Sequence, residues 1–155
     1  MAPSEKLSLS RSYPAQAGSV RKIREAVRDL AARAGASGAQ LDAIRLAVAE
    51  AANNVVLHAY RAAPGKIHVT AAAGVGELTV LLADDGCGPN QPARSPGLGW
   101  GWKLIAEASD ELSISERADG GTEILISWRI GADQSARGSE SSATRPASPP
   151  FSTTT

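Results

Sequence analysis

Two long helical periodicities come early in this chain and most strand periodicities come late, and that order limits the folds open to it. Val20, Ile23, Val27 and Leu30 recur every three or four residues with Arg and Lys between them. That spacing predicts a helix from Ser19 to about Ala34, with Gly35 as its C-terminal cap. Leu41, Ile44, Val48, Ala51 and Val55 repeat the pattern and predict a second helix from about Ala39 to Tyr60, N-capped by Ser37. Two-residue alternation then takes over. Strands are expected over Lys66 to Ala71 and Glu77 to Ala83, joined by Gly74-Val75-Gly76, and over Thr122 to Ile130, where Ile124, Ile126, Trp128 and Ile130 share a face. A helix from about Gly99 to Ala108 and a strand around Leu112 to Ser115 lie between them. Leu7 and Leu9, alternating with serines ahead of Tyr13-Pro14, suit a short strand at a sheet edge. Two long helices ahead of most strands predict an α+β two-layer sandwich, a mixed, mainly antiparallel sheet covered on one face by helices.

With 155 residues the chain fits one domain and one core. From residue 131 the composition turns to Ser, Thr, Pro, Ala and Gly, so residues 6–130 are expected to fold and residues 131–155 to be disordered. The 16 basic and 16 acidic residues cancel, and no global field favours nucleic acid or an anionic membrane as partner. The longest apolar runs, such as Val80 to Ala83, are too short to span a bilayer, and no apolar signal segment follows the early Lys and Arg. A cytoplasmic protein is therefore expected. Cys87 stands alone, which excludes an intramolecular disulfide framework.

Three clusters carry chemistry, each matched to a different part of a nucleotide. Glu50 and Asn54, four residues apart on the second helix, share a face. There an amide oxygen can hold a magnesium ion while a carboxylate orients or deprotonates an attacking group. The same pair also fits a solvated polar stripe, and Asn53 competes for the metal role. Asp84-Asp85-Gly86-Cys87-Gly88 follows a buried strand, so one carboxylate stays near the sheet as an acceptor for the exocyclic amine of adenine. A plain Asp-Gly turn would look alike. Gly97-Leu98-Gly99-Trp100-Gly101-Trp102 opens a helix whose free amides suit a polyphosphate. The spacing fits neither a dinucleotide fingerprint nor a P-loop. Trp100 and Trp102 are also candidates for core burial.

In this order the motifs resemble those of the Bergerat, or GHKL, ATP-binding fold. Glu50-x-x-x-Asn54 resembles its N box, Asp84-x-Gly86-x-Gly88 and Gly97-x-Gly99-x-Gly101 its two glycine boxes, and Gly120-Gly121-Thr122 its closing Gly-Thr element. Within that superfamily the stretch from Ala47 to Tyr60 is similar to the N-box helix of bacterial anti-sigma-factor serine/threonine kinases. The resemblance covers residues 7–130 and departs from the family at Trp102, where leucine is usual. It implies ATP and Mg2+ as cofactors, Glu50 as general base, Asn54 as the magnesium ligand and Asp84 as the adenine acceptor. Gly86, Gly88, Gly97, Leu98, Gly99, Trp100, Gly101 and Thr122 would complete the nucleotide site, beneath a lid from about Pro89 to Pro96. It further implies phosphorylation of a serine or threonine on an anti-anti-sigma (STAS-domain) protein, sequestration of a sigma factor, and a homodimer. The alternative is an ATP-binding interaction module that transfers no phosphate.

Overall fold

A computed structural model of the chain describes residues 7–60, 63–86, 98–118 and 120–131. Five strands form one sheet: β1 (Leu7–Pro14), β2 (Lys66–Gly74), β3 (Glu77–Asp84), β4 (Glu111–Glu116) and β5 (Thr122–Arg129). Their spatial order is β1-β2-β3-β5-β4. All four pairings are antiparallel, so the sheet expected to be mixed contains no parallel pair among the described residues. β1 lies at an edge, as Pro14 requires, and β3 is central.

Helices α1 (Ala17–Arg33) and α2 (Gly38–Asn54) cover one face. Along each strand alternate side chains enter the core: Ile67, Val69, Ala71 and Ala73, then Leu78, Val80 and Leu82, then Ile124, Ile126 and Trp128. They meet Ile23, Val27, Leu30, Ile44 and Val48 from the helices. The alanines Ala47, Ala51 and Ala52 of α2 are also buried. Small side chains there let that helix approach its neighbours closely, as dense core packing requires.

Both ends of the helix pair follow from local sequence. After α1, Gly35 takes a left-handed φ of 96°, Gly35 N–H donates to Ala32 O and Ala36 N–H to Ala31 O. This is a Schellman stop. Ser37 Oγ accepts from Gln40 N–H at 3.3 Å, and Gln40 Oε1 accepts from Ser37 N–H at 2.8 Å, closing a capping box. Gln40 Nε2 also donates to Arg129 O at 3.2 Å, so the cap pins the start of α2 to the end of β5. Ser37→Ala should lower the unfolding free energy by about 1 kcal/mol, read by urea denaturation; an unchanged midpoint would show the cap to be idle.

The second helix differs from its expected form. The α-helical stretch stops at Asn54, and Val55–Ala59 forms a π-helical turn instead of continuing as α-helix to Tyr60. β2 also runs further than expected, to Gly74, because Ala72 and Ala73 pair with β1 and β3 despite their weak strand preference. The tail expected to be disordered lies, beyond Gly131, outside the described residues.

Candidate functional site

The site begins at the C-terminal end of α2, where helix α3 (Leu98–Glu107) starts against it. A Cβ placed on Gly101 would sit 3.3 Å from Asn54 Oδ1, 3.4 Å from Asn54 Nδ2 and 3.7 Å from Glu50 Oε2. The first and third clusters therefore meet, and glycine at 101 leaves the two side chains facing open backbone. Asn54 rather than Asn53 faces this point. Its Nδ2 is buried with no hydrogen-bond partner among the described residues. An unmade bond of that kind costs about 1–3 kcal/mol.

The π-helical turn links this corner to the next. π turns occur mostly as single insertions in helices and are frequent at functional sites. The carbonyl of Ala59, the last residue of the turn, lies where a Cβ on Gly86 would have to go. The following Tyr60 hydroxyl donates to Lys66 O at 2.5 Å and accepts from Asp85 N–H at 2.9 Å. The ring of Tyr60 fills the space beside Gly65. The end of the Glu50/Asn54 helix is thus stapled to the loop after β3.

Asp84 ends β3 on the row that includes Leu78, Val80 and Leu82, which explains its burial at 2% exposure. Its Oδ1 accepts from Gly86 N–H at 2.9 Å. Gly121, at a φ of 87°, packs so closely on the Asp84 carbonyl that a Cβ there would overlap it. Burial pushes the Asp84 carboxyl above its ordinary 3.8, with the negative charge of Asp85 adding to the rise; bonds from the backbone of Gly86 and Thr122, and the Arg117 charge, work against it. A carboxyl with a raised folded pKa contributes stability that is fully present below its unfolded value and lost as pH rises through the folded value. The unfolding free energy of Asp84→Asn, which lacks this proton, should therefore gain on that of wild type as pH rises from about 3.8. Denaturation at a series of pH values tests this, and a constant difference across the series refutes it.

Asp85, exposed, is held below the ordinary carboxylate range chiefly by its bond with His68, and Arg117 acts in the same sense. Its Oδ2 lies 2.9 Å from His68 Nε2 and its Oδ1 accepts from Arg117 Nη1 at 2.6 Å. Arg117, His68 and Tyr60 were not among the expected site residues. They lie in different parts of the chain, and no spacing rule ties them to the glycine motifs.

Of the expected residues, Glu50, Asn54 and Gly101 come together, as do Asp84, Gly86 and Thr122. Leu98, Gly99 and Trp100 lie in the first turn of α3. Trp102 packs partly buried against the core. Gly88, Gly97, Cys87 and the lid segment expected at Pro89 to Pro96 lie outside the described residues. Among the described residues no three His, Cys, Asp or Glu side chains cluster as a metal cage. Magnesium beside a nucleotide commonly uses only one or two protein oxygens, the phosphates supplying others, and the Asn54 amide oxygen fits such a half-site. No helix among the described residues is long and apolar enough to cross a membrane.

A helix-covered antiparallel sheet with an acid/amide helix face, a buried aspartate at the end of its central strand and a glycine-opened helix defines a class of nucleotide-binding domain. Residues 13–128 match the histidine kinase-like ATPase domain, and the chain belongs to that family. It is similar to serine-protein kinase RsbW of Bacillus mycoides and of Bacillus cereus, 29% identical to each over 136 residues that cover 78% of this chain and 84% of theirs. Part of the structure of the RsbU and RsbW domains of Rv1364c from Mycobacterium tuberculosis is similar to it, with a TM-score of 0.63 and 27% identity. That match covers 79% of this chain and 32% of the other, so the chain spans about a third of the length of that two-domain structure.

Proposed function

We propose that the chain is an ATP- and magnesium-dependent serine/threonine protein kinase that acts as an anti-sigma factor, phosphorylating an anti-anti-sigma protein and sequestering a sigma factor. The observation that carries the reading is the meeting of Glu50 and Asn54 with Gly101, joined through Ala59 and Gly86 to the buried carboxylate of Asp84. Likeness to the RsbW serine-protein kinases supports the same activity.

In this reading the adenine amine donates to the Asp84 carboxylate, and the Thr122 hydroxyl and the glycines at 86 and 88 shape the pocket around the base. Gly97, Leu98, Gly99, Trp100 and Gly101 offer backbone amides to the phosphates, a favourable use of a helix start. The Asn54 amide oxygen holds the metal ion, which when bound neutralises charge on the transferred phosphoryl group. Glu50 accepts the proton of the attacking serine or threonine hydroxyl. Since phosphoryl transfer depends mainly on positioning and charge, the rigid sheet and the stapled helix end supply most of what the protein must contribute.

The test is incubation with radiolabelled ATP, magnesium and the STAS-domain proteins of the source genome. Label on a serine or threonine of one of them supports the kinase reading. ATP binding without label on any of them would favour the interaction module instead.

A further inference from the structure

Arg117 belongs to none of the sequence motifs, yet it holds the loop that presents Asp84. It follows β4 and opens the turn into β5, with Arg117 N–H donating to Gly121 O and Gly120 N–H to Arg117 O, both at 3.1 Å. Its side chain is 25% exposed. From there Nη1 donates to Asp85 Oδ1 at 2.6 Å and to the Asp84 main-chain oxygen at 3.2 Å, while Nε lies 3.8 Å from Glu123 Oε1. The second oxygen of Asp85 reaches His68 Nε2, and His68 Nδ1 lies 2.8 Å from Ser12 Oγ. A chain of polar contacts therefore runs from β5 through the Asp84-Asp85 turn to edge strand β1. The planar guanidinium suits this double task, because its donors leave in fixed directions.

The Asp84 carboxylate accepts from the backbone of Gly86 and of Thr122, and its remaining lone pairs must point one way to favour one base. Adenine offers an amine where guanine carries a carbonyl oxygen, but guanine has donors elsewhere on its ring. A fixed carboxylate rejects guanine, since acceptor would face acceptor. A carboxylate that swings can find guanine's other donors.

We propose that Arg117, acting through the Asp84 carbonyl and Asp85, is a positioning residue that aims the Asp84 carboxylate and so sets the preference for adenine over guanine nucleotides. The inference rests on the ATP reading given above. It is tested by calorimetric titration of ATP and of GTP into the wild-type chain and into Arg117→Ala, Arg117→Lys and Asp85→Asn, each first checked by thermal melting.

Arg117→Ala should weaken ATP binding about tenfold or more, the scale of a lost hydrogen bond to a charged group, and should lower the ATP-to-GTP affinity ratio by a similar factor. Arg117→Lys keeps the charge without the fork and should fall between. Simple loss of folded protein would reduce the binding of both nucleotides together and leave their ratio unchanged, so the ratio separates aiming from support. If Arg117→Ala does not fold, Arg117→Lys and Asp85→Asn decide the matter in the same way. Wild-type discrimination retained in the folded variants overturns the role of Arg117 and leaves the ATP site standing. A wild-type chain that binds neither nucleotide overturns both.

Discussion

Asp84→Asn should bind ATP roughly ten- to a hundredfold more weakly than wild type while melting at no lower a temperature. The first half follows from chemistry: a hydrogen bond to a charged group is worth about 1.5–3 kcal/mol, and each 1.4 kcal/mol is about tenfold in affinity. An amide at 84 that keeps its oxygen on Gly86 N–H turns its NH2 group toward the adenine amine, donor against donor. The second half follows from burial. The carboxylate is 2% exposed and its pKa is raised by desolvation, so near neutral pH its charge is a burden on the folded state. Asparagine removes that charge and can still accept from Gly86. Most losses of function at buried polar positions come with losses of stability; here the two should part. Calorimetric titration beside a thermal melt reads both, and full ATP affinity in the variant would dismiss Asp84 as the base acceptor.

Glu50→Gln should leave ATP affinity within about twofold and slow phosphoryl transfer by about 10²- to 10⁴-fold, the range for loss of a general base. The geometry argues for this separation. Glu50 Oε2 lies near Gly101 on the same side as Asn54, where the phosphates rather than the adenine would lie in this reading. The substitution keeps shape and hydrogen-bonding capacity but removes the proton acceptor. Single-turnover transfer to a phosphorylatable partner, with ATP saturating, isolates the chemical step. Transfer at the wild-type rate would take the base role from Glu50.

Much of the architecture was legible because local and global preferences agree. Val20, Ile23, Val27 and Leu30 are buried as their spacing requires, Gly35 adopts the left-handed φ expected of a cap, and Ser37 caps α2. Ile124, Ile126, Trp128 and Ile130 line one face. The π-helical turn was not legible, because Val55 and Val56 carry the helical pattern past Asn54 without interruption. The extra residue in that turn goes with contacts far along the chain: Tyr60 with Lys66 and Asp85, and Ala59 with Gly86. The Arg117, Asp85 and His68 group was hidden for a similar reason. Arg117 is 32 positions from Asp85 and Asp85 is 17 from His68, and only strand pairing brings them together. At the site, the two members of the N box could be paired from their spacing alone. Their meeting with Gly101 depended on how α3 lies against α2, which no periodicity encodes.

The strand order has a consequence for the history of each newly made molecule. β5 inserts between β3 and β4, so one whole side of the central strand stays unpaired until the last described stretch of chain has been synthesised. Asp84 leaves the ribosome well ahead of Gly121 and Thr122, which close over it from β5. Chains are made at about 5–20 residues per second, so for seconds β3 and Asp84 exist without the partners that will cover them. A ribosome stalled ahead of Gly121 would hold a chain that has made Asp84 but not the residues that close over it.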